Sequence, residues 1–61
     1  MPTVQIMWYK GRTNKQKADL ADVITKAVAE IGNTTLQDTQ IIFHDVKKTN
    51  WAQGGVIAEE L

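Results

Sequence analysis

Residues 13–31, T-N-K-Q-K-A-D-L-A-D-V-I-T-K-A-V-A-E-I, contain the one long helical pattern in this chain of 61 residues. Thr13 and Gln16 have the spacing of a capping box, in which each side chain bonds the backbone amide of the other residue. Gly32 is expected to end the helix in a left-handed conformation. The apolar residues recur every three or four positions and form one stripe along the helix, made of Leu20, Val23, Ile24, Ala27, Val28 and Ile31.

Two strand patterns flank this helix. Residues 3–9, T-V-Q-I-M-W-Y, alternate between two faces, and residues 39–46, T-Q-I-I-F-H-D-V, have the composition of a second strand. The order strand, helix, strand predicts parallel pairing through a right-handed crossover. Gly54 and Gly55, before Val56, predict a short hairpin in the tail. The expected fold class is therefore α/β, a small β-α-β subunit with a parallel two-stranded sheet and a short C-terminal hairpin.

The length of the chain predicts a single domain over residues 1–61 that needs help to bury a core. The chain has no Cys for a disulfide, and His44 is its only imidazole, so a zinc site is not expected. One helix can cover only one face of the sheet, which leaves the other face for another subunit. We therefore expect a homo-oligomer.

The charge and hydropathy of the sequence limit the classes of partner that the chain is expected to bind. Seven basic and seven acidic residues give a formal net charge of zero, which argues against nucleic acid and against an anionic membrane as partners. The N-terminus has no positively charged segment before an apolar stretch, and no apolar run is long enough to span a bilayer. The expected location is the cytoplasm.

The chain begins with Met1-Pro2. If the initiator methionine is removed, Pro2 carries a free secondary amine, which can titrate near neutral pH and is a candidate general base. If Met1 is retained, the proline nitrogen is a tertiary amide and cannot act as a base. The alternative is that a proline in second position only marks a strand edge where no amide is required.

Met1-Pro2, Gly11-Arg12 after the first strand, the amphipathic helix, and Trp51 three residues before Gly54-Gly55 occur together at spacings that resemble the 4-oxalocrotonate tautomerase family. The resemblance covers essentially the whole chain, and its specificity lies in the combination of these motifs. It implies a single tautomerase domain that assembles as a homohexamer, usually a trimer of dimers. It also implies an isomerase that uses processed Pro2 as catalytic base, needs no metal or organic cofactor, and serves the degradation of aromatic compounds.

The resemblance also implies roles for individual residues. Arg12 matches the arginine that binds a substrate carboxylate, and Trp51 matches an aromatic residue that excludes water. Tyr9 occupies a position whose backbone amide contributes, so its side chain is not expected to matter. Gln40 replaces an arginine that many relatives use to polarise the substrate carbonyl. Asp38 replaces a small hydroxyl residue, and its carboxylate would repel an anionic substrate and raise the pKa of the Pro2 amine.

Position along the chain predicts where these residues meet. Arg12 lies about 30 Å from Pro2 along an extended path, so the pair can share a site only across subunits. The start of the second strand, by contrast, should lie beside Pro2 in the same subunit. Lys47 or Lys48 could replace the missing cation, although an exposed lysine pair is more commonly a solvated turn. His44, Trp8 and Phe43 are interpreted as structural.

Three functions follow. The first is keto-enol tautomerisation of 2-hydroxymuconate-like dienols or related 2-oxo acids, with Pro2 moving the proton. The second is dehalogenation or decarboxylation of small acids, with a protonated Pro2 as acid and Asp38 activating water. The third is a non-catalytic oligomeric scaffold whose site has decayed at Gln40 and Asp38.

Overall fold

The computed structural model describes every residue from Met1 to Leu61. It confirms the α/β class and the predicted order of elements. In chain order these are β1 (Thr3–Tyr9), α1 (Asn14–Ile31), β2 (Gln40–Val46), the 3-10 helix η1 (Lys48–Asn50), β3 (Ala52–Gln53), β4 (Val56–Ile57) and the 3-10 helix η2 (Ala58–Glu60).

Strands β1 and β2 form a parallel sheet with Thr3 opposite Gln40 and Tyr9 opposite Val46. The ladder continues past both ends of the strands. The Gln40 amide donates to the Pro2 carbonyl at 2.9 Å, and the Lys10 amide donates to the Val46 carbonyl at 2.9 Å. The parallel pairing is thus confirmed, and the start of β2 lies beside Pro2 as the sequence predicts.

The start of α1 has the predicted capping box, but its end differs from the prediction. The Gln16 amide donates to Thr13 Oγ1 at 3.1 Å, and the Thr13 amide donates to Gln16 Oε1 at 2.9 Å. The prediction of a left-handed Gly32 is wrong, because its φ is −81° and Asn33 has the positive φ, 56°. A Cβ atom at Gly32 would lie 2.5 Å from the Val28 carbonyl oxygen, so this position needs glycine because of a close approach.

The apolar stripe of α1 divides into two parts. Leu20, Ile24 and Val28 are half-buried, on the side from which Lys17 reaches β2. Val23 is 63% exposed and Ile31 is 86% exposed. One sheet cannot cover a stripe this wide, so an apolar edge of the helix stays in contact with solvent.

Asp45 joins the three main elements. The Trp8 indole Nε1 of β1 donates to Asp45 Oδ1 at 2.7 Å, and Lys17 of α1 forms an ion pair with Asp45 Oδ2. The Lys17 hydrogen bond first, and the Trp8 hydrogen bond second, hold the pKa of the Asp45 carboxyl below its usual value. Trp8 also stacks on Phe43, with ring centroids 5.4 Å apart. The packing role expected for Trp8 and Phe43 is confirmed.

The tail forms the predicted hairpin. Strands β3 and β4 pair antiparallel, and the turn between them consists of Gly54 and Gly55, with φ of 61° and 83°. Both values are in the region that favours glycine, as a tight two-residue hairpin turn requires. The Ala58 amide then donates to the Trp51 carbonyl at 2.7 Å, which returns the hairpin to the body of the subunit.

The single chain has almost no closed core. Ala58 is the only buried residue. The radius of gyration is 14.4 Å, whereas a compact chain of this length would have about 10.5 Å. On the sheet face away from α1, Met7 is 63% and Ile42 is 43% exposed. None of the helices combines the length and the apolar composition that crossing a bilayer requires.

Candidate active site

Pro2 lies at the amino end of the sheet, where β1 begins. Its carbonyl accepts from the Gln40 amide, and the Gln40 side chain extends to the same end, where its Nε2 donates to Met1 Sδ at 3.4 Å. Asp38 lies in the turn that leads into β2, held there by a bond from its amide to Thr35 Oγ1 at 3.1 Å. The structure therefore brings the predicted residues Pro2, Asp38 and Gln40 to one end of the subunit.

Arg12 lies at the opposite end, after β1. Gly11, with a φ of 135°, turns the chain there in a conformation that favours glycine. Arg12 Nη1 donates to the Tyr9 carbonyl at 2.7 Å, and its guanidinium carbon lies 4.6 Å from the centroid of a Trp8 ring. The guanidinium borders an open cleft of about 480 Å³ between β1 and the first turns of α1. Arg12 forms no ion pair in the subunit, although Asp19 lines the same cleft.

Tyr9 and Trp51 form an aromatic pair at this same end. Their ring centroids are 5.1 Å apart and their planes meet at 69°. The ammonium of Lys48 lies 5.4 Å from the centroid of the Tyr9 ring. The Tyr9 side chain contacts both Trp51 and Lys48, which the sequence pattern does not predict. No local sequence pattern predicts these contacts, because they form only when the chain folds so that η1 lies beside the end of β1.

The predicted site residues thus form two groups at opposite ends of the sheet. Pro2, Asp38 and Gln40 lie at the amino end, and Tyr9, Arg12 and Trp51 lie at the carboxyl end. The strand between Pro2 and Tyr9 spans about 23 Å at the usual rise per residue. One subunit alone therefore cannot bring Pro2 and Arg12 to the same small molecule.

The two groups differ in chemistry. The Pro2 end offers a neutral amide donor at Gln40 and a negative charge at Asp38, while the Arg12 end offers positive charge beside two aromatic rings. His44 is not part of either group, since its Nε2 lies 2.9 Å from Gln5 Oε1 within the sheet. No group of three or more His, Cys, Asp or Glu side chains is placed to hold a metal ion.

Comparison with known proteins places the chain in a family. The family model described as tautomerase enzyme matches residues 2–60. A 2-hydroxymuconate tautomerase of Comamonas testosteroni is 36% identical over 61 residues, which is 100% of this chain and 97% of that protein.

Solved structures agree with this assignment. An apo, unfused 4-oxalocrotonate tautomerase has a TM-score of 0.90 at 30% identity, with 100% of each chain covered. A heterohexamer 4-oxalocrotonate tautomerase of Chloroflexus aurantiacus has a TM-score of 0.89 at 33% identity, covering 100% of this chain and 98% of the other. This chain therefore belongs to the 4-oxalocrotonate tautomerase family of the tautomerase superfamily, and it is an isomerase of that kind.

Proposed function

We propose that this chain catalyses keto-enol tautomerisation of 2-hydroxymuconate-like dienols or related 2-oxo acids, with processed Pro2 as general acid and base. The family and its 2-hydroxymuconate tautomerase relative support the reaction class and the substrate. The observation that carries the proposal is the separation of Pro2 from Arg12 at opposite ends of a subunit with one buried residue. Such a subunit is suited to an active site formed between copies.

The proton transfer needs no cofactor. Once Met1 is removed, the Pro2 nitrogen has a lone pair and takes the proton of the enol hydroxyl, which breaks an O–H bond. The protonated amine then returns a proton to a carbon of the dienol, and a C–H bond forms as the carbonyl appears. The atoms of substrate and product are the same, so the enzyme only moves a proton.

The other residues bind the substrate. Arg12 holds a carboxylate, for which its planar guanidinium can supply two parallel hydrogen bonds. Gln40 donates from its amide to the substrate oxygen, and Trp51 with Tyr9 excludes water, which strengthens each of these interactions. Asp38 opposes a negative charge near Pro2 and so selects against a carboxylate there.

The proposed assembly is a homohexamer, a trimer of dimers, in which the Arg12 end of one subunit meets the Pro2 end of another. The exposed apolar residues on the sheet and on α1 support extensive contacts between copies. The solvent-accessible surface of the subunit also supports contacts between copies. It is 4723 Å², whereas a compact monomer of this mass would expose about 4,000 Å².

The decisive experiment is ketonisation of 2-hydroxymuconate by three proteins whose N-termini are checked by mass spectrometry. These are the native protein, Pro2→Gly, and a form with one alanine inserted before Pro2. The inserted residue turns the proline nitrogen into an amide while leaving every side chain in place. We expect the inserted form to lose activity entirely and Pro2→Gly to keep a remnant through its primary amine. Full activity in the inserted form would disprove the proposed base.

A second function is favoured by one observation, the carboxylate of Asp38 at the Pro2 end. A negative charge there raises the pKa of the Pro2 amine, and a proline that is protonated at neutral pH suits hydration chemistry such as dehalogenation or decarboxylation. The pH profile of kcat/KM in the native protein distinguishes the tautomerase function from this second function, because it reports the pKa of the Pro2 amine. A Pro2 pKa at or below neutrality supports the tautomerase, and one well above neutrality supports the second function.

A further inference from the structure

The indole ring of Trp8 is held in one orientation by two kinds of contact. Its Nε1 donates to Asp45 Oδ1 at 2.7 Å, and its ring stacks on Phe43 with the ring planes 17° apart. Asp45 is held in turn by its ion pair with Lys17 of α1. A hydrogen bond at the edge of a ring and a stacked neighbour on its face together restrict its rotation. Trp8 therefore provides a fixed aromatic surface near the carboxyl end of β1.

Arg12 rests on this surface. Its guanidinium carbon lies 4.6 Å from the centroid of a Trp8 ring, and its Nη1 donates to the Tyr9 carbonyl at 2.7 Å. A ring that stacks on a guanidinium attracts its charge but uses none of its N–H groups. The bond to the Tyr9 carbonyl is the one hydrogen bond that Arg12 forms in the subunit. The guanidinium is thus oriented by the ring and keeps most of its N–H donors for a ligand.

The acidic residues around the guanidinium are bonded to other partners. Asp19 lines the same cleft as Arg12, but its carboxylate pairs with Lys15 at 2.7 Å. The carboxylate of Asp45 pairs with Lys17. Neither acidic residue forms an ion pair with Arg12, so the contact that orients the guanidinium face is the one with the aromatic ring.

We propose that Trp8 is a positioning residue for Arg12, which holds the guanidinium over its indole so that the remaining N–H groups meet a substrate carboxylate. This inference rests on the proposed function, in which Arg12 binds that carboxylate, and it gives Trp8 a role beyond packing. Without the ring, the guanidinium samples more orientations in the free protein, and substrate binding has to order it. Ordering one long side chain weakens binding about fivefold.

The test is a double-mutant cycle on the binding of muconate, measured by calorimetry. Muconate has the two carboxylates of 2-hydroxymuconate but no enol hydroxyl, so binding is measured without turnover. The proteins are the native form, Trp8→Leu, Arg12→Ala and the variant with both changes. We expect Trp8→Leu to weaken binding about fivefold when Arg12 is present and to have no further effect when Arg12 is alanine.

Ile6→Ala is the matched control. Ile6 is a half-buried apolar residue of β1, two positions before Trp8 on the same face of the sheet, and it does not line the cleft beside Arg12. Its loss should change muconate binding by the same factor with and without Arg12. A purely structural role of Trp8 predicts this additive result for Trp8→Leu as well, and additivity there would overturn the proposal.

A second change at position 8 preserves the shape of the side chain. A tryptophan fluorinated on its benzene ring, incorporated at this position alone, keeps the indole N–H but has a weaker negative charge on its ring face. We expect it to weaken muconate binding in the same direction as Trp8→Leu, in an oligomer of unchanged mass. This measurement decides the matter if Trp8→Leu does not fold, and binding equal to that of the native protein would reject the proposed role of the ring.

The same proteins distinguish failure of this inference from failure of the proposed function. If Arg12→Ala weakens muconate binding but Trp8→Leu does not, Trp8 has no positioning role and the proposed function stands. If Arg12→Ala binds muconate as tightly as the native protein, the role of Arg12 in the proposed function is wrong and this inference falls with it. Coupling between Trp8 and Arg12 without any Pro2-dependent turnover would support the positioning role and reject the tautomerase proposal.

Discussion

At the scale of single residues, Gln40 is the departure from the family pattern that is expected to limit the rate. Its backbone is fixed beside Pro2, so a side chain at this position extends toward the end of the sheet where the proposed proton transfer occurs. A charged donor stabilises a developing oxyanion more strongly than a neutral amide does. We predict that Gln40→Arg raises kcat for 2-hydroxymuconate about tenfold. Steady-state kinetics of 2-hydroxymuconate ketonisation measure kcat of the variant and of the native protein.

Gln37→Arg is the matched control for this prediction. It adds the same charge in the exposed turn that leads into β2, three residues earlier in the chain. A general electrostatic attraction of the dianion would raise kcat/KM in both variants, whereas stabilisation of the enolate raises kcat only in Gln40→Arg. An unchanged kcat in Gln40→Arg would remove Gln40 from the account of the rate.

At the scale of elements, Asp45 links β1, α1 and β2 through Trp8 and Lys17. Its folded-state pKa is lowered, so the stability it provides is present above its unfolded pKa, about 3.9, and is lost as the pH falls through the folded value. We predict that Asp45→Asn is less stable than the native protein at neutral pH. The variant should also lack the part of the native protein's loss of stability at acidic pH that comes from protonation of Asp45. Urea midpoints measured across acidic pH, at one fixed protein concentration, test this.

Asp19→Asn provides the comparison. This carboxylate pairs with Lys15 on an exposed turn of α1, and its side chain is 66% exposed. Exposed pairs of this kind contribute little to stability. The urea midpoint of Asp19→Asn should change with pH as that of the native protein does. The urea midpoint of Asp45→Asn should lie below the native value at neutral pH and meet it only at the acid end. Two parallel profiles for Asp45→Asn and the native protein would show that Asp45 contributes no pH-dependent stability.

The elements also show which features could be predicted from the sequence. The capping box at Thr13 and the hairpin turn at Gly54 depend on residues close in the chain, and both were predicted. The position of Gly32 at the end of α1 was also predicted, but its conformation was not, because that depends on how closely the chain passes the Val28 carbonyl. The contacts of Tyr9 with Lys48 were also beyond prediction, since β1 and η1 are far apart in the chain and meet only in the folded subunit.

At the scale of the whole molecule, the open shape of the subunit and its divided site have one explanation. We infer that a chain with one buried residue gains most of its apolar burial by assembly, and in the proposed homohexamer the same assembly joins the Pro2 end of one copy to the Arg12 end of another. In this proposed assembly, stability and catalysis depend on the same contacts between subunits. Dilution below the assembly range should then remove structure and activity together.

Subunit mixing tests the shared site directly. One variant carries the alanine inserted before Pro2, and the other is Arg12→Ala, so each alone lacks one half of every site. When the two are unfolded together and reassembled in equal amounts, a site is complete only if its Pro2 comes from the second variant and its Arg12 from the first. Random assembly gives about one quarter of the native number of sites, because each condition is met half the time. Native mass spectrometry confirms mixing, and activity is measured on the same sample. Mixed oligomers without any recovered activity would show that Pro2 and Arg12 do not act across subunits, and recovery close to a quarter would place the active site at the boundary between them.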